Sequence, residues 1–179
     1  MKISISLLTK ITQIIILLSL CFTLSCQQGE VNKKAEEDMK ALSNRALEIW
    51  SEGNYALLDE IYSPEIVRHE VNINEDLVGT KEYKDNVIWV RTANPDFNVT
   101  TDEVFVKDDR VVLRWTVTYT NTGPRGDQPA TGKRVQFSGI VINRVVDGKI
   151  VEEWVYFNMA AVLTQLGYTF TPPSPEKEK

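Results

Sequence analysis

The hydrophobic pattern of this chain changes period once, near Pro95, and that change limits the fold more than any other feature. Before it, Ala35, Met39, Leu42, Ala46 and Ile49 recur at steps of four, three, four and three, which lays them on one stripe of a helix ended by Gly53. Leu57, Leu58, Ile61 and Tyr62 fit a second, shorter helix capped by Asn54 and broken at Ser63-Pro64. Tyr83, Val87 and Val90 share one side of a third, with Thr80 as its N-cap and its end at Asn94-Pro95. After it the period is two. Phe97 and Val99 keep one phase while Val104 and Val106 keep the other, so the first long strand carries a bulge or bend near Thr101. Val111, Leu113, Trp115, Val117 and Tyr119 alternate cleanly with Arg114, Thr116, Thr118 and Thr120. Strands over 133–146 and 149–158 flank the tight turn Asp147-Gly148, and 159–166 reads as a closing helix stopped by Gly167. Helices followed by an antiparallel meander predict an α+β domain with the helices on one face of the sheet.

The ends of the chain need a separate reading. Lys2 and Lys10 accompany an apolar run from Ile11 to Leu24 that stops at Ser25-Cys26, the pattern of an export signal and short for a transmembrane helix. The site resembles a bacterial lipobox, with Thr23 where leucine is usual; Cys21, behind the bulky Leu20, fits less well. The expected organisation is a signal over 1–25, lipidated Cys26 and a polar tether to residue 34, a folded domain over 35–170, and a proline-rich, charged, disordered tail over 171–179. The expected location is the bacterial envelope, on the periplasmic side and at the outer membrane.

This processing leaves no thiol pair for a disulfide or a soft-metal site, and with one histidine no zinc site is expected. The mature chain is acidic: without Lys2 and Lys10, 18 basic residues face 25 acidic ones, a balance of −7. No basic stripe is present, which argues against nucleic-acid binding.

Several segments carry a family resemblance. Asn54-Tyr55 through Ile66-Val67-Arg68-His69, Arg114-Trp115-Thr116, the run from Ala130 to Gly139, and Asp147-Gly148-Lys149-Ile150-Val151-Glu152-Glu153-Trp154 followed by Leu163-x-Gln165-Leu166-Gly167 resemble the SnoaL-like polyketide cyclase, or ester cyclase, family. The resemblance covers nearly all of the domain. It implies the nuclear transport factor 2-like cone: N-terminal helices against a strongly curved antiparallel sheet, enclosing a pocket and commonly dimeric. It also implies cofactor-free acid/base chemistry on a carbonyl compound, with an aspartate four residues after the tryptophan of Glu-Glu-Trp. Here that position is Asn158, and an amide has no proton to exchange near neutral pH.

His69, the only histidine, is the substitute base and resembles a histidine common at this place in the family; a structural histidine is the alternative. On the last strand, alternation puts Glu152, Trp154, Tyr156 and Asn158 on one face, taken as the pocket wall, and Val151, Glu153, Val155 and Phe157 on the other. Arg114 could hold an oxyanion, or lie on the surface. Tyr62 and Trp89 are core residues first and ligand contacts second. The expected role is to hold a hydrophobic or polycyclic small molecule. An acid/base enzyme working through His69 or Glu152, and a structural envelope protein with a filled interior, are the alternatives.

Overall fold

The computed structural model describes residue 30 and residues 32–72 and 74–171. The chain divides into two compact units, Met1–Asp38 and Met39–Lys179. The described part of the first is helical over 32–38. The predicted export signal, Cys26 and residues 172–179 of the tail lie outside the described residues. Among the described residues no helix is long and apolar enough to cross a membrane.

The second unit opens with helix α1 over residues 39–52, whose Ala46 and Ile49 are buried as the periodicity predicts. The short helix α2, Leu57–Ile61, buries Leu57, Leu58 and Ile61; its cap is Ala56, not the predicted Asn54. Strand β1, Tyr62–Glu70, pairs antiparallel with β2, Glu75–Val78. Helix α3, Gly79–Ala93, buries Tyr83 and Val87. Thr80 does not cap it: the cap residue is Val78, whose N–H donates to the Glu82 carboxylate at 2.8 Å. Strands β3 (Asn98–Lys107), β4 (Arg110–Thr120), β5 (Arg134–Val146) and β6 (Lys149–Phe157) form the meander, and helix α4, Met159–Leu166, closes the unit.

One sheet holds all six strands in the order β2-β1-β6-β5-β4-β3. β1 and β2, which the sequence reading left out, complete it, and β1 lies parallel to β6, so the sheet is not wholly antiparallel. The predicted bulge is present, with a one-residue register shift between Thr101 and Glu103. A second shift, not predicted, falls between Arg144 and Val145 beside the Asp147-Gly148 turn.

The inner face of the sheet carries Val111, Leu113, Trp115, Val117 and Tyr119 of β4, all buried. Val141 and Asn143 of β5 and Glu153 and Val155 of β6 continue this face across the sheet. Ile49, Trp50, Ile61, Tyr83 and Val87 from the helices join the same core.

Candidate functional site

A single rung of the inner face brings together the polar groups of the interior. Val111, Asn143, Glu153, Arg68 and Leu77 are successive partners across β4, β5, β6, β1 and β2, and cross-strand partners share a face. Asn143, Glu153 and Arg68 are 1%, 2% and 8% exposed, among residue types that rarely leave water without partners. The parallel pairing of β1 with β6 sets arginine beside glutamate.

Arg68 donates through Nη1 to Glu153 Oε2 at 2.8 Å and through Nε to Glu70 Oε1 at 2.7 Å. Its guanidinium lies over the Trp50 ring, 4.7 Å from the centroid, and 5.3 Å from that of Tyr83. Glu153 Oε1 accepts from the Tyr62 hydroxyl at 2.8 Å. The two tyrosine oxygens are 2.7 Å apart, and the Trp50 indole N–H donates to Tyr83 at 2.9 Å. A hydroxyl has one proton to give. Tyr62 spends its proton on Glu153, so Tyr83 must donate to Tyr62, and the chain runs one way: Trp50 to Tyr83 to Tyr62 to Glu153. Burial, and next the Glu153 charge, push both phenols well above their ordinary range, so both stay protonated donors. Burial opposes the charge on Arg68, but Glu70, Tyr83 and Glu153 outweigh it and raise its pKa. The cluster sets one guanidinium against two carboxylates.

This cluster forms part of the wall of a cavity of about 220 Å³. Aromatic and aliphatic side chains, including Phe97, Trp115, Val117, Phe137 and Phe157, make up much of the rest. Gly139 is required there, since a Cβ at this position would lie 2.5 Å from the Trp115 ring and from the Tyr156 carbonyl. Trp89, 43% exposed, and the half-buried Arg125 mark the mouth, with the guanidinium 4.9 Å from the indole centroid. Asn121 anchors the β4–β5 loop that carries Arg125: its amide donates to the carbonyls of Ala93 and Gly123, and its oxygen accepts from the Thr131 N–H and hydroxyl.

The structure places two of the predicted ligand contacts, Tyr62 and Trp89, in the lining of this cavity. The others lie elsewhere. Glu152, Trp154 and Tyr156 face the outer side of the sheet, while their neighbours Glu153, Val155 and Phe157 line the cavity, so the alternation is as predicted but the faces are exchanged. The register shift is the reason. Counted outward from the Val146–Lys149 pair, Glu152 would oppose Asn143; the extra residue puts Glu153 there instead.

His69 lies on β1, not at a helix end, and outside the cavity. Its Nδ1 is 2.8 Å from Asp76 and its Nε2 3.1 Å from Glu152, whose other oxygen accepts from Arg144 at 2.8 Å. Its ring stacks on Trp154, with centroids 5.1 Å apart. Burial lowers the imidazole pKa, but the hydrogen bonds to Glu152 and Asp76 outweigh it and raise the value. Arg114 is 46% exposed by side chain and paired with Asp102 and Glu103 at 2.9 and 3.1 Å, outside the lining of this cavity. Asn158 is the N-cap of α4, its Oδ1 accepting from the Ala161 N–H at 3.0 Å, so the position aligned with the family aspartate serves to start a helix here. Among the described residues no cluster of three or more His, Cys, Asp or Glu side chains is placed to hold a metal ion.

The profile of the SnoaL-like polyketide cyclase family matches residues 40–166, which include every element of the cavity wall. This chain belongs to that family. TsrD from Streptomyces laurentii is similar at 25% identity, the match covering 73% of this chain and 96% of TsrD with a TM-score of 0.64. AclR from Streptomyces galilaeus, a proposed hydroxylase, is similar at 32% identity over 76% of this chain and 84% of its own, with a TM-score of 0.62. A proposed polyketide cyclase from Acidithiobacillus ferrooxidans matches at 26% identity over 72% and 93%, also with a TM-score of 0.62. No curated protein sequence matches the chain significantly. The α+β nuclear transport factor 2-like fold is therefore established.

Proposed function

We propose that this SnoaL-like domain holds a compact, mainly apolar small molecule in its cavity, with Glu153 as the polar group met at the buried end. The observation that carries this reading is an aromatic-walled cavity with a few directed polar groups, among them the hydrogen-bonded carboxylates of Glu153 and Glu70, the usual composition of a small-molecule site. An apolar cavity of ~150 Å³ takes up benzene, so about 220 Å³ suits one or two fused rings. A larger polycycle would extend past Trp89 and Arg125. Native mass spectrometry of the protein from its own host should find a retained molecule of this size; consistently empty protein would count against the reading.

The Glu153 carboxylate supports a second reading, turnover by acid/base catalysis on a carbonyl compound. Oε1 accepts from Tyr62 and Oε2 from Arg68, leaving lone pairs for a ligand proton. In that case Glu153→Gln abolishes turnover and leaves binding within about threefold, as expected for a group whose proton transfer matters only in the transition state.

Export and lipid anchoring at Cys26, on the periplasmic side of the envelope, belong to the same proposal and rest on the leader sequence. Cys26→Ser should move the chain from the membrane to the soluble fraction; unchanged membrane association would refute the anchor. Pairing of two copies is also proposed. Phe105, Ile140 and Tyr156, exposed on the outer face of the sheet, support it, and light scattering at micromolar concentration tests it.

A further inference from the structure

Among the described residues, two buried side-chain atoms have no hydrogen-bond partner, Asn143 Oδ1 and Asn72 Nδ2, and both residues line the same cavity. Buried polar atoms are almost always satisfied, because an orphan forfeits its hydration without return. Two orphans scattered through a core would be packing faults. Two in the wall of one cavity point to a ligand that supplies their partners.

Asn143 is the better defined of the two. It is 1% exposed on β5, one of the two central strands of the sheet, and its amide nitrogen donates to Ser43 on α1 at 3.2 Å, with both residues in the cavity lining. Its cross-strand neighbour on the same face is Glu153, another acceptor. Two acceptors therefore stand side by side at the buried end, next to a cluster with one carboxylate in excess. Arg68 and the unpartnered Asn72 Nδ2 are donors of the same lining, so an ether or carbonyl oxygen finds partners at those groups and none at Asn143.

We infer that Asn143 Oδ1 is the specificity-determining acceptor of the cavity, selecting ligands that bring a hydrogen-bond donor, a hydroxyl or an amine N–H, to the buried end. This rests on the reading of the cavity as a small-molecule site, and the experiment separates the two.

The test is calorimetric titration of the purified full chain with three probes of one shape: 1-naphthol, 1-naphthylamine and 1-methoxynaphthalene. The naphthol or the amine should bind about tenfold tighter than the methoxy compound, the worth of one hydrogen bond made in place of an orphaned acceptor. Asn143→Val should erase that preference, while the methoxy compound binds it as well as or better than it binds the unaltered chain. Preference for the naphthol over the amine, or the reverse, then identifies the donor.

Equal affinity for all three probes on the unaltered chain would overturn the assignment of Asn143 and leave the cavity reading standing. Failure of all three to bind would overturn both. The comparison of probes on the unaltered chain decides the matter even where the valine variant does not fold.

Discussion

Glu152 and Glu153 are adjacent, identical in type and on opposite faces of β6, so the same substitution at each isolates what the interior does to a carboxylate. Glu153→Gln leaves the side-chain shape intact but gives one oxygen to two donors, the Tyr62 hydroxyl and Arg68 Nη1, and turns a new N–H toward whichever it does not serve. One charge-assisted bond is lost, worth ~1.5–3 kcal/mol, and a buried donor is left unpaired at a further ~1–3 kcal/mol. Removing the excess negative charge offsets part of this, because Arg68 keeps Glu70. The net cost comes to about 2–4 kcal/mol, close to that of breaking a buried ion pair. For a domain of this size that lowers the melting midpoint by roughly 6–12 °C. Glu152→Gln touches a pair of partners at the surface and should cost at most about 1 kcal/mol. Urea denaturation followed by far-ultraviolet circular dichroism at pH 7 measures both. Equal costs for the two variants, or a Glu153→Gln cost below about 0.5 kcal/mol, would refute the account of the buried cluster.

Other expectations follow from the same geometry. Gly139→Ala forces Trp115 into the cavity and should destabilise by about 1–3 kcal/mol with a shift in tryptophan emission; unchanged emission would contradict the close approach. Asn158→Ala should cost about 0.5–2 kcal/mol through loss of the α4 cap, whereas Asn158→Asp, an equally good cap, should be nearly neutral in a denaturation midpoint. For His69 the folded-state pKa is raised, so its stabilisation is full below the unfolded imidazole value of ~6.5 and is lost as the pH rises through the folded value. The stability difference between the unaltered chain and His69→Gln should therefore shrink from pH 6 to pH 9, and a difference that grows would reverse the assignment.

Much of the fold could be read from alternation alone, because amphipathic elements announce their buried side. The helical stripe ending at Ile49, the inner set of β4 and the phase change near Thr101 are all visible in the sequence. β1 and β2 are not. Ser63-Pro64 reads as a break rather than a strand entrance, and the polar interior of β1, with Arg68 facing inward, disguises its buried face. The site was harder still. A single unpredicted residue in the β5–β6 ladder reverses the face of everything beyond it, and periodicity within one strand cannot reveal an offset between two. A signal was nonetheless present: Val155 and Phe157 are as apolar as Trp154 and Tyr156, and the set they belong to contains the second glutamate of the doublet.

The one-way hydrogen-bond chain ending at Glu153 has a consequence for proton inventory. It begins at an indole N–H, which does not act as an acid in water's working range, and the carboxylate's other neighbour is a guanidinium that donates without ever accepting. The mapped hydrogen bonds thus give no relay through the protein. A proton taken up by Glu153 from a molecule in the cavity has its shortest return onto that same molecule. On the acid/base reading proposed above, such a site suits rearrangements that move a proton from one atom of a ligand to another.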